Sequence, residues 1–146
     1  MTRRDKLSPE SLQAEIEELF ADLWQVPRFA GLRRHFRPNV DSFRTADPHE
    51  LTVVVEVPGI DPGSLAIVVG ERMLLISGER TRARSDGRVY QQMEIEYGPF
   101  QRQVRLIEDV DPEAASARYE HGIVTITLPV TAKPLPGKRH SIAVER

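Results

Sequence analysis

The spacing of apolar residues along the chain changes once, near residue 40. Before that point, apolar side chains recur every three or four residues, which is typical of an amphipathic α-helix. Ser8 as N-cap, Pro9 at the first helical position and Pro27 after the last turn bound the predicted helix. Its apolar stripe consists of Leu12, Ile16, Leu19, Phe20, Leu23 and Trp24. Phe29 and Phe36 follow in an irregular, arginine-rich segment.

This stripe has two interpretations, because a lone helix is marginal in water and must bury its apolar face. It either packs on the following domain as part of its core, or it packs between subunits or captures partners. The opposite face carries acidic residues and no Lys or Arg, which argues against a helix lying on a membrane surface.

From Val40 onward the apolar period is two, and turn residues such as Pro58-Gly59 and Asp86-Gly87 interrupt it. No helical pattern separates the runs, so we predict an all-β fold, an antiparallel immunoglobulin-like β-sandwich. His121 precedes Gly122 in a two-residue hairpin turn and is expected to have a positive φ. The predicted strands are residues 41–46, 51–57, 64–69, 73–80, 89–92, 99–106, 114–119 and 123–128.

Composition limits the class of protein. With 146 residues, the chain has room for one domain with short appendages. A net charge of −2 gives no whole-chain attraction for nucleic acid, and the absence of cysteine excludes disulfides and thiolate sites. The chain shows neither a signal peptide nor a membrane-spanning run, so we expect a cytoplasmic protein without integral membrane association.

No group of residues has the spacing of an active site. The chain contains neither a phosphate-binding loop nor a nucleophile elbow, and its four histidines lack metal-ligand spacing. Arg80, Arg82 and Arg84 alternate and could contact phosphate, but a charged surface loop explains them better. We therefore expect no enzyme activity, no catalytic residue, no cofactor and no metal.

The last fifteen residues form a predicted flexible tail containing Pro134, Pro136 and Gly137. Ile142 and Val144 are an isolated apolar pair within it. Their spacing projects both side chains to one side of an extended segment, as an added edge strand requires, although a frayed tail would explain them equally simply.

The strand region resembles the α-crystallin domain of the small heat-shock proteins. The most specific match is residues 117–129, which resemble the family pattern A-x-x-x-[ND]-G-[VI]-L-x-[VI]-x-[LV]-P, with His121 and Val124 as departures from it. Residues 55–59, 76–80 and 96–102 support the match, and Ile142-Ala143-Val144 resembles the family's I-x-[IV] tail motif. The implied organisation is an N-terminal arm (1–38), an α-crystallin domain (39–131) and a C-terminal extension (132–146).

The resemblance implies an ATP-independent chaperone, a holdase that binds non-native client proteins. It also implies a homo-dimer, formed by a loop strand around Val89 and Tyr90 with Arg102 at the interface, that assembles into a larger homo-oligomer. We expect Ile142 and Val144 to dock in a neighbouring subunit's groove, lined by Leu65, Ile67, Val69, Ala115 and Ala117. We expect clients to bind the arm through Leu12, Ile16, Leu19, Phe20, Leu23, Trp24, Phe29 and Phe36.

Two other classes of protein remain open. A co-chaperone that docks on an ATP-driven chaperone can have the same sandwich, but it would need neither the amphipathic arm nor the tail pair. A β-sandwich enzyme or ligand-binding module is disfavoured, because no polar cluster converges on a pocket.

Overall fold

The computed structural model describes residues 36–133 and 139–146, and in these ranges the regular structure is β-strand apart from one short 3-10 helix, Pro62–Ser64. This confirms the all-β prediction. The helix predicted before Pro27 lies outside the described residues. The strands are β1 (Val40–Ala46), β2 (His49–Glu56), β3 (Ala66–Gly70), β4 (Met73–Arg80), β5 (Gly98–Arg105), β6 (Ser116–Glu120), β7 (Ile123–Pro129), β8 (His140–Ser141) and β9 (Val144–Glu145).

Two sheets form the sandwich. One has the order β1-β2-β7-β6-β9 and the other the order β5-β4-β3-β8, and all pairings are antiparallel except β6 with β9. The two-residue alternation explains how the sheets pack: in β7, Val124, Ile126 and Leu128 are fully buried while Thr125 is exposed. The buried faces of both sheets share one apolar core.

The β6–β7 turn has the conformation expected from its sequence. His121 and Gly122 have φ values of 52° and 78°, as a two-residue hairpin with two left-handed residues requires. A Cβ on Gly122 would lie 3.1 Å from the Cα atom of Pro58, so the position also needs glycine for space. The turn lies close to the β2 end, where the Val57 amide donates to the Gly122 carbonyl at 2.8 Å.

Local hydrogen bonding moves the start of one strand. The apolar pattern predicts a strand from Ser64, whereas β3 begins at Ala66. The Asp61 carboxylate accepts a hydrogen bond from the Gly63 amide at 3.0 Å, and Pro62 supplies the φ of a first helical position. These two residues favour a single 3-10 turn before the strand.

Two further predictions differ from the structure. Residues 81–97 form no strand, so the strand predicted at residues 89–92 is absent. Residues 139–146, expected to be flexible, form β8 and β9 against the sandwich. In both places the outcome depends on whether the segment pairs with a strand edge, which apolar periodicity does not report.

Candidate functional site

The tail lies where both sheets end on the same side of the sandwich. Without it, β3 would be the edge of one sheet and β6 the edge of the other. β8 pairs with β3 and β9 pairs with β6, so one short tail covers two edges that would otherwise present unpaired backbone groups.

Ile142 lies between the two short strands and enters the core. Its amide donates a hydrogen bond to the Ile67 carbonyl at 2.9 Å, and its side chain is only 5% exposed. We call its surroundings the tail groove, defined by the five residues predicted to line it. Ile67, Val69 and Ala117 belong to the buried core that includes Ile142, and Leu65, Ala115 and Val144 pack against that core.

The tail occupies the groove of its own chain, whereas the sequence led us to expect a neighbour's groove. Ile142 is consequently a core residue of this sandwich, which corrects the expectation that the tail stands apart from it. The physical reason is simple: every copy of the chain carries the same groove. The alternating apolar pair specifies the surface that the tail fits, but not the copy that provides it.

The β4–β5 loop, residues 81–97, exposes apolar side chains that a soluble monomer would not need. The exposed fractions are 89% for Val89, 45% for Tyr90, 59% for Met93 and 63% for Ile95. In the described part of the chain, residues 81–97 pair with no strand of either sheet. The loop is therefore a candidate contact surface.

Two arginines hold the two ends of this loop together. Arg80 donates from Nε and Nη2 to the Glu96 carbonyl, the first at 3.0 Å, and from Nη1 to the Pro58 carbonyl at 3.3 Å. Its guanidinium carbon lies 3.6 Å from the ring centre of Phe36, and that of Arg82 lies 4.3 Å from the ring centre of Tyr97. Such cation–π contacts stabilise by about 0.5–2 kcal/mol each.

This role of Arg80 and Arg82 was not predicted from the sequence. The signal available was their i, i+2 spacing at the end of a strand, followed by Tyr97 on the returning segment. A related constraint lies at Gly78, where a Cβ would come within 2.9 Å of the Phe100 ring. Phe100 in turn packs edge-on against Phe36, with ring centres 5.5 Å apart.

Of the residues predicted to bind clients, the structure describes Phe36 alone. It is 9% exposed and packs between Phe100 and Arg80, so in this conformation its side chain is unavailable to a client. This corrects the expectation of an exposed Phe36. The other seven, Leu12, Ile16, Leu19, Phe20, Leu23, Trp24 and Phe29, lie outside the described residues.

Arg102, predicted at a dimer interface, bonds within its own chain. Nη1 donates to the Pro38 carbonyl at 2.9 Å, and the residue is partly buried opposite Ile76 of β4. Burial lowers the pKa of Arg102, and the charge of Arg37 lowers it further. The contact fixes the segment that leads into β1.

Two neighbouring carboxylates tie the β5–β6 loop to both sheets. Glu108 binds Arg44 of β1 at 3.0 Å and His49 of β2 at 3.1 Å. Asp109 binds the β3–β4 turn through two 2.9 Å hydrogen bonds from Arg72, which lower the pKa of Asp109. Because this carboxylate is held ionised in the folded chain, the stability it adds is present at neutral pH and is lost as the pH falls through its lowered pKa. Its exposure to solvent keeps that contribution small.

The described residues offer neither a metal site nor a membrane-spanning helix. In ranges 36–133 and 139–146, no three His, Asp or Glu side chains are arranged to bind a metal ion. Over the same ranges, no helix has the length and apolar content needed to cross a bilayer.

The sequence of the chain also matches a protein-family model. Residues 44–145 match the model of the Hsp20/alpha crystallin family, which covers most of the sandwich and the tail motif. The chain belongs to this family of small heat shock proteins, which are chaperones of the stress response and not enzymes.

Curated relatives agree with the family model. Alpha-crystallin of Mycobacterium tuberculosis is 36% identical over 137 residues, covering 90% of this chain and 88% of the relative. Small heat shock protein C2 of Rickettsia felis is 28% identical over 130 residues, covering 88% and 81% of the two chains.

Solved structures share the sandwich. Heat shock protein 16.0 from Schizosaccharomyces pombe superposes with a TM-score of 0.62 at 25% identity, covering 71% of this chain and 96% of that one. A small heat-shock protein from Xylella fastidiosa, described as having a distinct high order structure, gives a TM-score of 0.58 at 27% identity over 72% and 95% of the two chains.

Proposed function

We propose that this protein is an ATP-independent holdase that works in the cytoplasm, where it binds partly unfolded proteins and prevents their aggregation. A holdase needs apolar surface that is covered in the resting protein and becomes exposed when it binds a client. It needs no catalytic group, because binding energy alone keeps the client from self-association.

The main support for this proposal is the way the tail covers the tail groove of the sandwich. An apolar groove with Ile67, Val69 and Ala117 at its base is closed by a segment whose strands β8 and β9 are two residues each. Such short pairings open at little cost compared with the strands of the core. Release of the tail would expose both the groove and two strand edges, which are surfaces that can bind an extended chain.

Assembly follows from the same surfaces. We propose that the β4–β5 loop pairs with an edge strand of a second subunit, which would bury Val89 and Tyr90 and form a dimer. We propose that tails exchanged between dimers then build the larger oligomer. A single tail binds weakly, because the entropy cost of association offsets much of the free energy gained by burying its side chains. Many tails binding together give stable assemblies that still exchange subunits.

Clients are proposed to bind the N-terminal arm. Its large apolar side chains each gain roughly 1.5–3 kcal/mol on burial, so a few of them suffice to anchor an exposed client segment. This proposal concerns the seven arm residues from Leu12 to Phe29 and leaves out Phe36, which the sandwich buries.

A truncated chain tests the arm. Removing residues 1–35 leaves Phe36 in place against Phe100, so we expect a folded sandwich that suppresses aggregation of a heat-labile client weakly. The measurement is light scattering of the client at matched molar ratios, with circular dichroism to check the fold. A second variant tests the same surface without truncation: changing Leu12, Ile16 and Leu19 to Ala in the full chain should also weaken protection of the client. Equal protection by the truncated and full chains would refute an arm-based client site.

A further inference from the structure

The two arginines at the base of the β4–β5 loop each face two aromatic rings. The guanidinium carbon of Arg80 lies 3.6 Å from the ring centre of Phe36 and 5.5 Å from that of Tyr97. The guanidinium carbon of Arg82 lies 4.3 Å from the ring centre of Tyr97 and 5.2 Å from that of Tyr90. All four distances are within the range of about 6 Å in which a ring attracts a cation. We call this alternating row of rings and cations the aromatic ladder: Phe36, Arg80, Tyr97, Arg82 and Tyr90.

The aromatic ladder joins a buried residue to an exposed one. Phe36 is buried between Phe100 and Arg80, close to the C-terminal end of the predicted N-terminal arm. Tyr90, at the other end of the ladder, is 45% exposed and belongs to the candidate contact surface of the loop. The ladder therefore connects the last part of the arm to the surface that we propose forms the dimer.

Side chains hold the loop where sheet hydrogen bonds do not. Residues 81–97 form neither helix nor strand, and a segment of this length without regular structure is uncommon inside a compact domain. Arg80 donates from Nε and Nη2 to the Glu96 carbonyl, and Arg82 donates from Nη2 to the Ile95 carbonyl at 3.4 Å. Among the described residues neither arginine forms an ion pair. Aromatic groups and carbonyl oxygens are therefore the groups that fix the two guanidinium heads and, through them, the loop.

Tyr90 is held at its hydroxyl as well as at its ring. Hydrogen bonds from Arg88 and Arg82 to this hydroxyl lower the pKa of Tyr90. A side chain that already has one orientation loses less conformational entropy when a partner covers it, so a preorganised contact residue binds more tightly. The contacts that fix Tyr90 therefore affect how strongly the loop binds a second subunit.

We propose that Arg82 and Tyr97 are positioning residues of the dimer contact, and that the aromatic ladder couples the position of Phe36 to that of Tyr90. When Phe36 leaves Arg80, the ladder loses its buried end, and Tyr90 becomes less ordered. Dimerisation then weakens, and by reciprocity the dimer stabilises Phe36 in its buried position. The proposal rests on the proposed function, in which the loop forms the dimer and the arm binds clients. A client that draws the arm away from the sandwich then loosens the dimer.

Two substitutions in the full chain test the ladder, Phe36→Leu and Tyr97→Leu, each of which replaces one ring by an aliphatic side chain. Each should raise the concentration at which half of the chains are monomeric two- to fivefold, because one such contact contributes about 0.5–1 kcal/mol. Sedimentation velocity over a dilution series measures this midpoint. In dilute, monomeric samples, trypsin cleavage after Arg84 and Arg88, which are exposed in the loop, should accelerate by a similar factor. Tyr97→Phe is the matched control, since it keeps the ring and should leave both readouts unchanged.

Combining the two substitutions separates a coupled ladder from two independent losses of stability. In the Tyr97→Leu background, Phe36→Leu should still lower the melting temperature, because packing against Phe100 is lost, but it should change the midpoint little further. Equal effects of Phe36→Leu on the midpoint in both backgrounds, an unchanged cleavage rate in Phe36→Leu, or a Tyr97→Phe variant as weak as Tyr97→Leu would overturn the proposal. Faster cleavage with an unchanged midpoint would also contradict it, and would show that the proposed dimer contact is wrong although the ladder orders the loop.

Discussion

Replacing Ile142 and Val144 together by alanine should convert large assemblies into dimers while the sandwich stays folded. Burial of the two side chains is worth roughly 3–6 kcal/mol before the entropy of association is subtracted, so their loss removes most of the gain from docking. Because Ile142 is 5% exposed within its own chain, we also expect a lower melting temperature. Multi-angle light scattering measures the mass, and circular dichroism follows the fold and its thermal unfolding.

The control for this variant is Ser141→Ala, which changes an exposed side chain of the same tail and should leave the mass unchanged. An unchanged mass in the double variant would falsify the assignment of the tail as the link between dimers. Complete loss of β structure would show instead that the tail serves only the fold of its own chain.

Replacing residues 84–93 by a short Gly/Ser turn should give a soluble monomer. This change removes Val89, Tyr90 and Met93, whose side chains are 45–89% exposed, and retains Arg80, Arg82 and Tyr97 at the base of the loop. Sedimentation velocity at several concentrations measures the state of association. The double change Ser85→Gly and Asp86→Ser, confined to the polar tip, should leave the dimer intact. If the shortened chain stays dimeric, the subunits pair along another edge, such as β1.

The periodicity of apolar residues predicted most strands of the sandwich, because this pattern depends only on residues close together in the sequence. The clean alternation of β7 belongs to a strand buried on one face, whereas β4 begins with an apolar run in which Leu74, Leu75 and Ile76 are all buried. The predicted bounds of β4, Met73–Arg80, agree with the structure. His121 before Gly122 predicted the turn for a similar reason, since φ preferences reside in the residues themselves. Where hydrogen bonds from neighbouring residues compete, as Asp61 does ahead of β3, the pattern misplaced the strand end.

The candidate site was harder to predict because it depends on contacts distant in sequence. The apolar spacing of the tail suggested an added strand, and the family resemblance suggested the groove, but the copy that supplies the groove is a question of assembly. Val89 and its neighbours carry a strand pattern, yet the segment forms a strand only if it pairs with an edge, and within its own chain it does not. Phe36 was predicted to bind clients but is buried. An isolated aromatic residue in an arginine-rich segment does not indicate that Phe100 and Arg80, which are distant in sequence, will cover it.

ATP-independent holdase activity is tested by capture of a heat-labile client by the full chain in nucleotide-free buffer. The mixture is heated, treated with apyrase throughout, and separated by size-exclusion chromatography. We predict that the client elutes in soluble complexes with the chain, and that ATP supplied to a parallel sample without apyrase changes neither the amount nor the size of these complexes. Client that precipitates as fast as it does alone, or that stays soluble only when ATP is supplied, would contradict it.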